Sequence, residues 1–270
     1  MGFGFGIDPR DVLRRNIVAG VEKYQRENSL KTRFGEPILG FARANHPLFD
    51  IFFGRDELIH PKGVYRPGNT VIVHFLPFQH PLSTLAPHDP EARQRWETAM
   101  KESIMLSMGI NGIIRDTMSA AGHMVSGTTT PADWNPIKLA PEWNHKLAAY
   151  ICGIGHVSFG DSLLTSSGAA GRFGSAITDY VMEPSRKWSD EEIDVIRRDP
   201  DFYRRQAFDL EGVPRDRIDE LMLLCPAEAV TTKGMERNKC QDYCRTLDMA
   251  APSQDACGRC WPLGILDRQE

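Results

Sequence analysis

Five of the chain's six cysteines, Cys225, Cys240, Cys244, Cys257 and Cys260, crowd into the last fifth of its 270 residues, and no histidine lies beyond His156. Any metal gathered there is gathered by thiolates alone. Soft thiolates in a group of four suit zinc or an iron-sulfur cluster, and the gaps of 14, 3, 12 and 2 residues do not by themselves choose between them. The opening MGFGFGIDPR lacks the charged and apolar regions of a signal peptide, and no apolar run approaches a membrane span. The expected compartment is the cytoplasm, where clustered cysteines more often bind metal or carry redox chemistry than pair as disulfides.

A hydrophobic content of 41% in a chain of this length allows one generous core, or a core with a small appended module. The net charge of −4 is spread over segments of mixed sign, with no basic block long enough to neutralise a run of phosphates. Stable nucleic-acid binding by bulk electrostatics is not expected.

Asp8-Pro9 predicts a helix start, and Val12, Leu13, Ile17, Val21 and Tyr24 continue at helical spacing to about Asn28. "TVIVHFLPF", residues 70–78, is β-branched and apolar throughout and predicts a buried strand. Residues 89–122 carry Trp96, Met100, Ile104, Met108 and Ile113 at helical spacing and predict two helices broken near Gly109 or Gly112. A further helix is expected from Pro141 to Cys152, and a strand over 172–182. After Pro184 the composition turns to short charged helices opened by the capping-box pattern SDEE, 189–192. The expected class is therefore α+β, with a body over 1–184 and a helical, cysteine-rich module over 185–270.

Cys225-Pro226 matches the ending of the bacterial ferredoxin run CxxCxxCxxxCP. Arg215, Ile218 and Leu221 stand where the three earlier cysteines would be. The pattern then continues through Cys240 and "CGRC", without the terminal cysteine. Removing the first three and the last of eight cysteines removes the ligands of one cluster. On this logic Cys225, Cys240, Cys257 and Cys260 hold a single 4Fe-4S cluster, with Cys244 a spare or a substitute. A zinc knot of Cys240, Cys244, Cys257 and Cys260 is the alternative.

"AAYICGIGHVSFGDSLLTSSGAAGRFGSAITD", residues 148–179, reads as a helix end, a Gly153-x-Gly155 turn, a loop rich in glycine and serine, and a strand. Such a loop lets backbone amides approach a ligand closely, although Ser158 breaks the full GxGxxG fingerprint. Taken with the cysteine order, this stretch resembles the cobalamin-dependent iron-sulfur reductases, the group of epoxyqueuosine reductase, reductive dehalogenases and short relatives in anaerobes. Their "AAYxAGLG", "GLIT" and "GxxxRFGSxxTD" segments match Ala148–Gly155, Leu163–Thr165 and Gly168–Asp179. Residues 60–78 are also similar to their "LPGAKSVIVFFLPF".

The resemblance implies a nitroreductase-like α/β body that binds cobalamin without a lower nucleotide ligand, beside a truncated ferredoxin-like iron-sulfur module. Electrons would pass from cluster to cobalt, and a cobalt(I) state would reduce a small organic substrate. By position, Gly153, Gly155, His156, Leu164, Thr165, Arg172, Phe173, Gly174 and Ser175 would line the corrin. A reduced ferredoxin or flavodoxin would supply electrons, and association of two chains is compatible with the sequence. The acid that epoxyqueuosine reductases carry before this helix falls on Leu139, and a Glu-Arg pair of the short relatives is His145-Lys146 here. His156, His145 and Glu142 are the candidate proton donors, with His123 a further one. Cys152 reads as a small buried hydrophobe. An electron-transferring or corrinoid-carrying protein without catalysis, and a zinc-stabilised flavin protein, are the competing readings.

Overall fold

Asp8 and Pro9 open the first helix as their chemistry dictates: Asp8 Oδ1 accepts the Arg10 amide hydrogen at 2.9 Å, and proline occupies the first turn, where an N–H would lack a partner. In this computed structural model the described residues are 8–55, 58–79, 90–127, 134–135, 140–141, 143–158, 162–202, 215–223, 225–232 and 234–246. The order along the chain is α1 (Pro9–Glu27), β1 (Ile38–Arg43), α2 (Pro47–Arg55), the single turn α3 (Pro61–Val64), β2 (Thr70–Pro77), α4 (Pro90–Ala120) and β3 (Val125–Gly127). There follow β4 (Trp134–Asn135), β5 (Ala140–Pro141), α5 (His145–Ile151), β6 (His156–Ser158), β7 (Ser162–Leu164), β8 (Gly171–Thr178) and α6 (Asp190–Arg198). The last described elements are α7 (Arg215–Leu223), β9 (Val230–Thr231), β10 (Gly234–Met235) and α8 (Arg237–Thr246).

The central sheet runs β1-β2-β8-β3, antiparallel at each pairing, with His74 opposite Gly174 and Phe75 opposite Phe173. Alternation along β2 sends Val71, Val73 and Phe75 into a core with Phe49, Phe53, Trp143 and Ile151 from α2, the segment before α5, and α5. Ile72 and Leu76 enter a second core with Leu13 and Ile17 of α1 and Leu106, Ile110 and Ile114 of α4. Helices thus cover both faces, which is why an antiparallel strand reads as a run apolar but for Thr70 and His74 instead of alternating with polar residues.

Helix α4 is continuous over 31 residues, and the expected break at Gly109 or Gly112 does not occur. Each glycine costs about 1 kcal/mol against alanine in a helix interior, whereas the buried row Leu106, Ile110, Ile114 and Met118 gains roughly 1.5–3 kcal/mol per side chain. The helix expected from Pro141 starts instead at His145, because the Asn144 side chain accepts the Leu147 amide hydrogen and caps it there. The strand expected over 172–182 ends at Thr178. The capping box is present as read: Ser189 and Glu192 satisfy each other's backbone N–H groups.

Candidate functional site

Three side chains meet on one face of β8 near the start of α5. The buried Trp143 ring, packed on Phe53 with centroids 5.0 Å apart, donates its indole N–H to Ser175 Oγ at 2.9 Å. The same oxygen lies 2.8 Å from His145 Nδ1. Ser175 is fully buried, so its hydroxyl fixes the orientation of a half-buried histidine from beneath.

Helix α5 ends in Gly153, whose φ of +73° is the left-handed conformation that glycine tolerates best. A Cβ there would also fall 2.4 Å from Arg186 Cβ. Arg186 in turn sits 3.6 Å over the Trp188 ring and 2.7 Å from Glu192. At Gly155 a Cβ would meet the Leu164 carbonyl oxygen at 2.5 Å, so the glycine permits the tight pairing of β6 with β7. His156 opens β6 and is exposed. Beyond β7, Thr165 donates its hydroxyl to the Gly168 carbonyl at 2.7 Å and accepts the Ser167 amide hydrogen at 3.1 Å, leaving Ser166 and Ser167 exposed at the tip.

Leu164, Thr165 and Phe173 are buried, and the Phe173 ring packs tilted against Phe75 with centroids 4.5 Å apart. Arg172 points to the α4 side of the sheet, where its Nε donates to Ser103 Oγ at 3.0 Å. Gly174 lies against His74: a Cβ would come within 2.4 Å of the imidazole and 2.6 Å of Ser107 Oγ. Of the expected site residues, Glu142, Cys257 and Cys260 lie outside the described residues. His123 stands by the far end of β8, with Nδ1 3.2 Å from Asp179 Oδ1.

His74 is the group that sequence reasoning passed over. It is fully buried in β2, with Nε2 2.9 Å from Ser107 Oγ and Nδ1 without a hydrogen-bond partner among the described residues. Burial holds its pKa down at about 3, and the positive charges of His145 and Arg172 push the same way. The signal was the one imidazole in an otherwise apolar run. Cys152 is also fully buried, and burial pushes its thiol pKa up well beyond the ordinary range, so it is inert.

In the cysteine-bearing end, Cys225 and Cys240 are both buried, and neither forms a disulfide among the described residues. Cys225 Sγ accepts the Ala229 amide hydrogen at 3.4 Å, and Ala229 passes on the link by accepting the Glu236 amide hydrogen at 2.7 Å. Glu236 then accepts from the Cys240 amide at 3.2 Å, so a run of backbone hydrogen bonds joins the two cysteine positions. Cys244 falls in the same helix as Cys240, α8. Among the described residues no three metal-ligating side chains form a group, and no helix is long and apolar enough to cross a membrane.

No protein-family model and no curated protein matches the chain. Among solved structures, it is similar to the catabolic reductive dehalogenase NpRdhA, at 18% identity and a TM-score of 0.52 over 86% of this chain. The chain shares the fold of the matched part of that protein. The match occupies 30% of the dehalogenase, so the chain spans under a third of its length. Two epoxyqueuosine reductase structures also match. One, from Streptococcus thermophilus, does so at 13% identity and a TM-score of 0.45, over 90% of this chain and 64% of its own. The other does so at 14% and 0.49, over 93% and 66%. The α+β class read from the residues agrees with the observed sheet and helices, and the resemblance read from the motifs agrees with the dehalogenase at the level of fold.

Proposed function

We propose that the chain is a cobalamin- and iron-sulfur-dependent reductase of a small organic substrate. The observation that carries this reading is the buried Cys225 thiol, which accepts a backbone N–H and is joined by backbone hydrogen bonds to the position of the buried Cys240, within a chain whose body shares a fold with a reductive dehalogenase. An amide hydrogen directed at sulfur stabilises the thiolate form that ligates metal and tunes a cluster's potential. The donor set therefore fits an iron-sulfur cluster, held by Cys225, Cys240, Cys257 and Cys260.

For the corrinoid, the exposed rim of Gly153, His156, Ser166 and Ser167 offers backbone and hydroxyl groups suited to the amide edge of such a ring. Gly155, Leu164, Thr165, Phe173, Gly174 and Ser175, with Arg172, which braces β8 against α4, are the other residues proposed to line the corrinoid. When bound, the corrinoid would supply a metal centre able to reduce or attack an organic substrate, fed with electrons through the cluster. His145 is held through Nδ1 by Ser175, so a proton moves at its Nε2. His156 and Glu142 are the other proposed donors, and a reduced ferredoxin or flavodoxin is the proposed electron source.

Leu139, standing where epoxyqueuosine reductases carry an acid, favours a second reading in which the chain passes electrons to a corrinoid or carries one without catalysis. Expression under anaerobic conditions with cobalamin, followed by metal and sulfide counting, absorption and EPR, tests the proposal. The expected result is iron and acid-labile sulfide in equal amounts together with cobalt, and turnover of a reducible substrate separates the first reading from the second. Zinc with neither iron nor corrinoid would overturn both. Cys225→Ser should lose the iron, and Cys244→Ser should keep it.

A further inference from the structure

The outer side of α4 carries an apolar patch that the body does not use. Ile104, Met105 and Met108 are 43, 56 and 63% exposed in the middle of the longest helix, diametrically away from its buried row at Leu106, Ile110 and Ile114. Large adjacent apolar side chains left in water on a structured helix mark an interaction surface, and methionine is a side chain that adapts to one.

The two glycines of this helix belong to the same side. Each costs helix stability relative to alanine, yet a Cβ on Gly109 would meet nothing within 4 Å, and one on Gly112 only the tip of Arg115 at 3.8 Å. Packing among the described residues therefore does not require either of them. Met105, Met108, Gly109 and Gly112 are spaced three and four residues apart, so large and small residues share one stripe. Lys101 continues it at one end and Asp116 at the other, both exposed.

We infer that α4 is a self-docking surface, on which two copies of this chain cross antiparallel about a two-fold axis between Met108 and Gly109. That placement sets Met108 against the partner's Gly109 and Met105 against the partner's Gly112, a large side chain facing a bare backbone at each level. It also sets Lys101 against the partner's Asp116, so opposite charges meet at both ends of the contact. A two-fold interface is self-complementary by construction, and this stripe satisfies that condition in both size and charge. A shallow crossing, near the roughly 20° of helices packed ridge into groove, keeps all of these levels in contact.

Sedimentation of the full chain over a range of concentrations, with its bound groups retained, tests this. The wild type should sediment as a dimer that dissociates on dilution. Gly109→Leu fills the open side of the helix with a better helix former and should give the monomer mass with undiminished helical circular dichroism; Met108→Lys should do the same. Lys101→Glu turns two attractive pairs into two repulsive ones and should weaken the dimer roughly tenfold. Adding Asp116→Lys to Lys101→Glu should restore it. A wild type that is monomeric at every concentration overturns the inference, as does a dimer indifferent to Gly109→Leu and Met108→Lys. Failure of the double charge exchange to restore association would overturn the antiparallel register.

Discussion

At the scale of single residues, His74 shows what a buried polar group demands of its neighbours. Its imidazole occupies the space that a Cβ at position 174 would take, so the glycine opposite it in the sheet is fixed by the histidine as much as by any ligand. Charging the ring would place an N–H at Nδ1 with no acceptor, next to the positive charges of His145 and Arg172. The folded state therefore holds His74 neutral, with a pKa of about 3 against an ordinary 6.5. The unfolded chain binds the extra proton between these values, so stability is fully present above pH 6.5 and falls as pH drops toward 3. The whole effect amounts to roughly 3–5 kcal/mol. His74→Gln keeps a partner for Ser107 and removes the titration; urea denaturation at a series of pH values should show a flatter acid limb than the wild type. An identical slope in the two proteins would refute the assignment.

At the scale of elements, what could be read from the sequence was what local chemistry decides. Asp8-Pro9, the β-branched run at 70–77 and the Ser189–Glu192 pair each specify their element with residues close in sequence. The continuity of α4 was hidden because two glycines speak locally for a break while the row facing the sheet speaks for continuation, and only the packed structure weighs the two. The meeting of Trp143 and His145 at Ser175 was hidden for a similar reason, since it depends on how β8 lies against the segment that leads into α5. His145 and Ser175 were both named from the sequence, but not as partners. For α6, the box at Ser189 holds a helix that plants Ile193 and Ile196 in the core beside α2 and α5. Ser189→Ala should cost about 1 kcal/mol by denaturant titration, with the denaturant dependence unchanged.

At the scale of the whole molecule, the sheet is the rigid member. Strand β2 lies between β1 and β8 and is buried on both faces, and β8 pairs with β2 along its whole length and with β3 over Ala176–Thr178, whereas β1 and β3 form the outer edges. Amide exchange followed by mass spectrometry should find residues 70–77 and 171–178 the slowest, with exchange approaching the global unfolding free energy. Faster exchange there than in α1 would show that the sheet is not the last part to open. The chain then does something specific after leaving β8. Ser185 returns to the outer strand, donating its amide hydrogen to the Phe41 carbonyl at 2.9 Å and accepting the Phe41 amide hydrogen on its hydroxyl at 3.0 Å. One serine thereby supplies hydrogen-bond partners that a neighbouring strand would otherwise give at this point of the edge. It also moors the chain at a fixed point before the cysteine-bearing segment begins. Helix α6 then carries the hold onward by planting Ile193 and Ile196 in the core, so the chain stays fixed to the body from Ser185 through Arg198. Whatever the cysteines hold is thus reached from a chain anchored at two points, and loosening either anchor would shift it without touching a ligand.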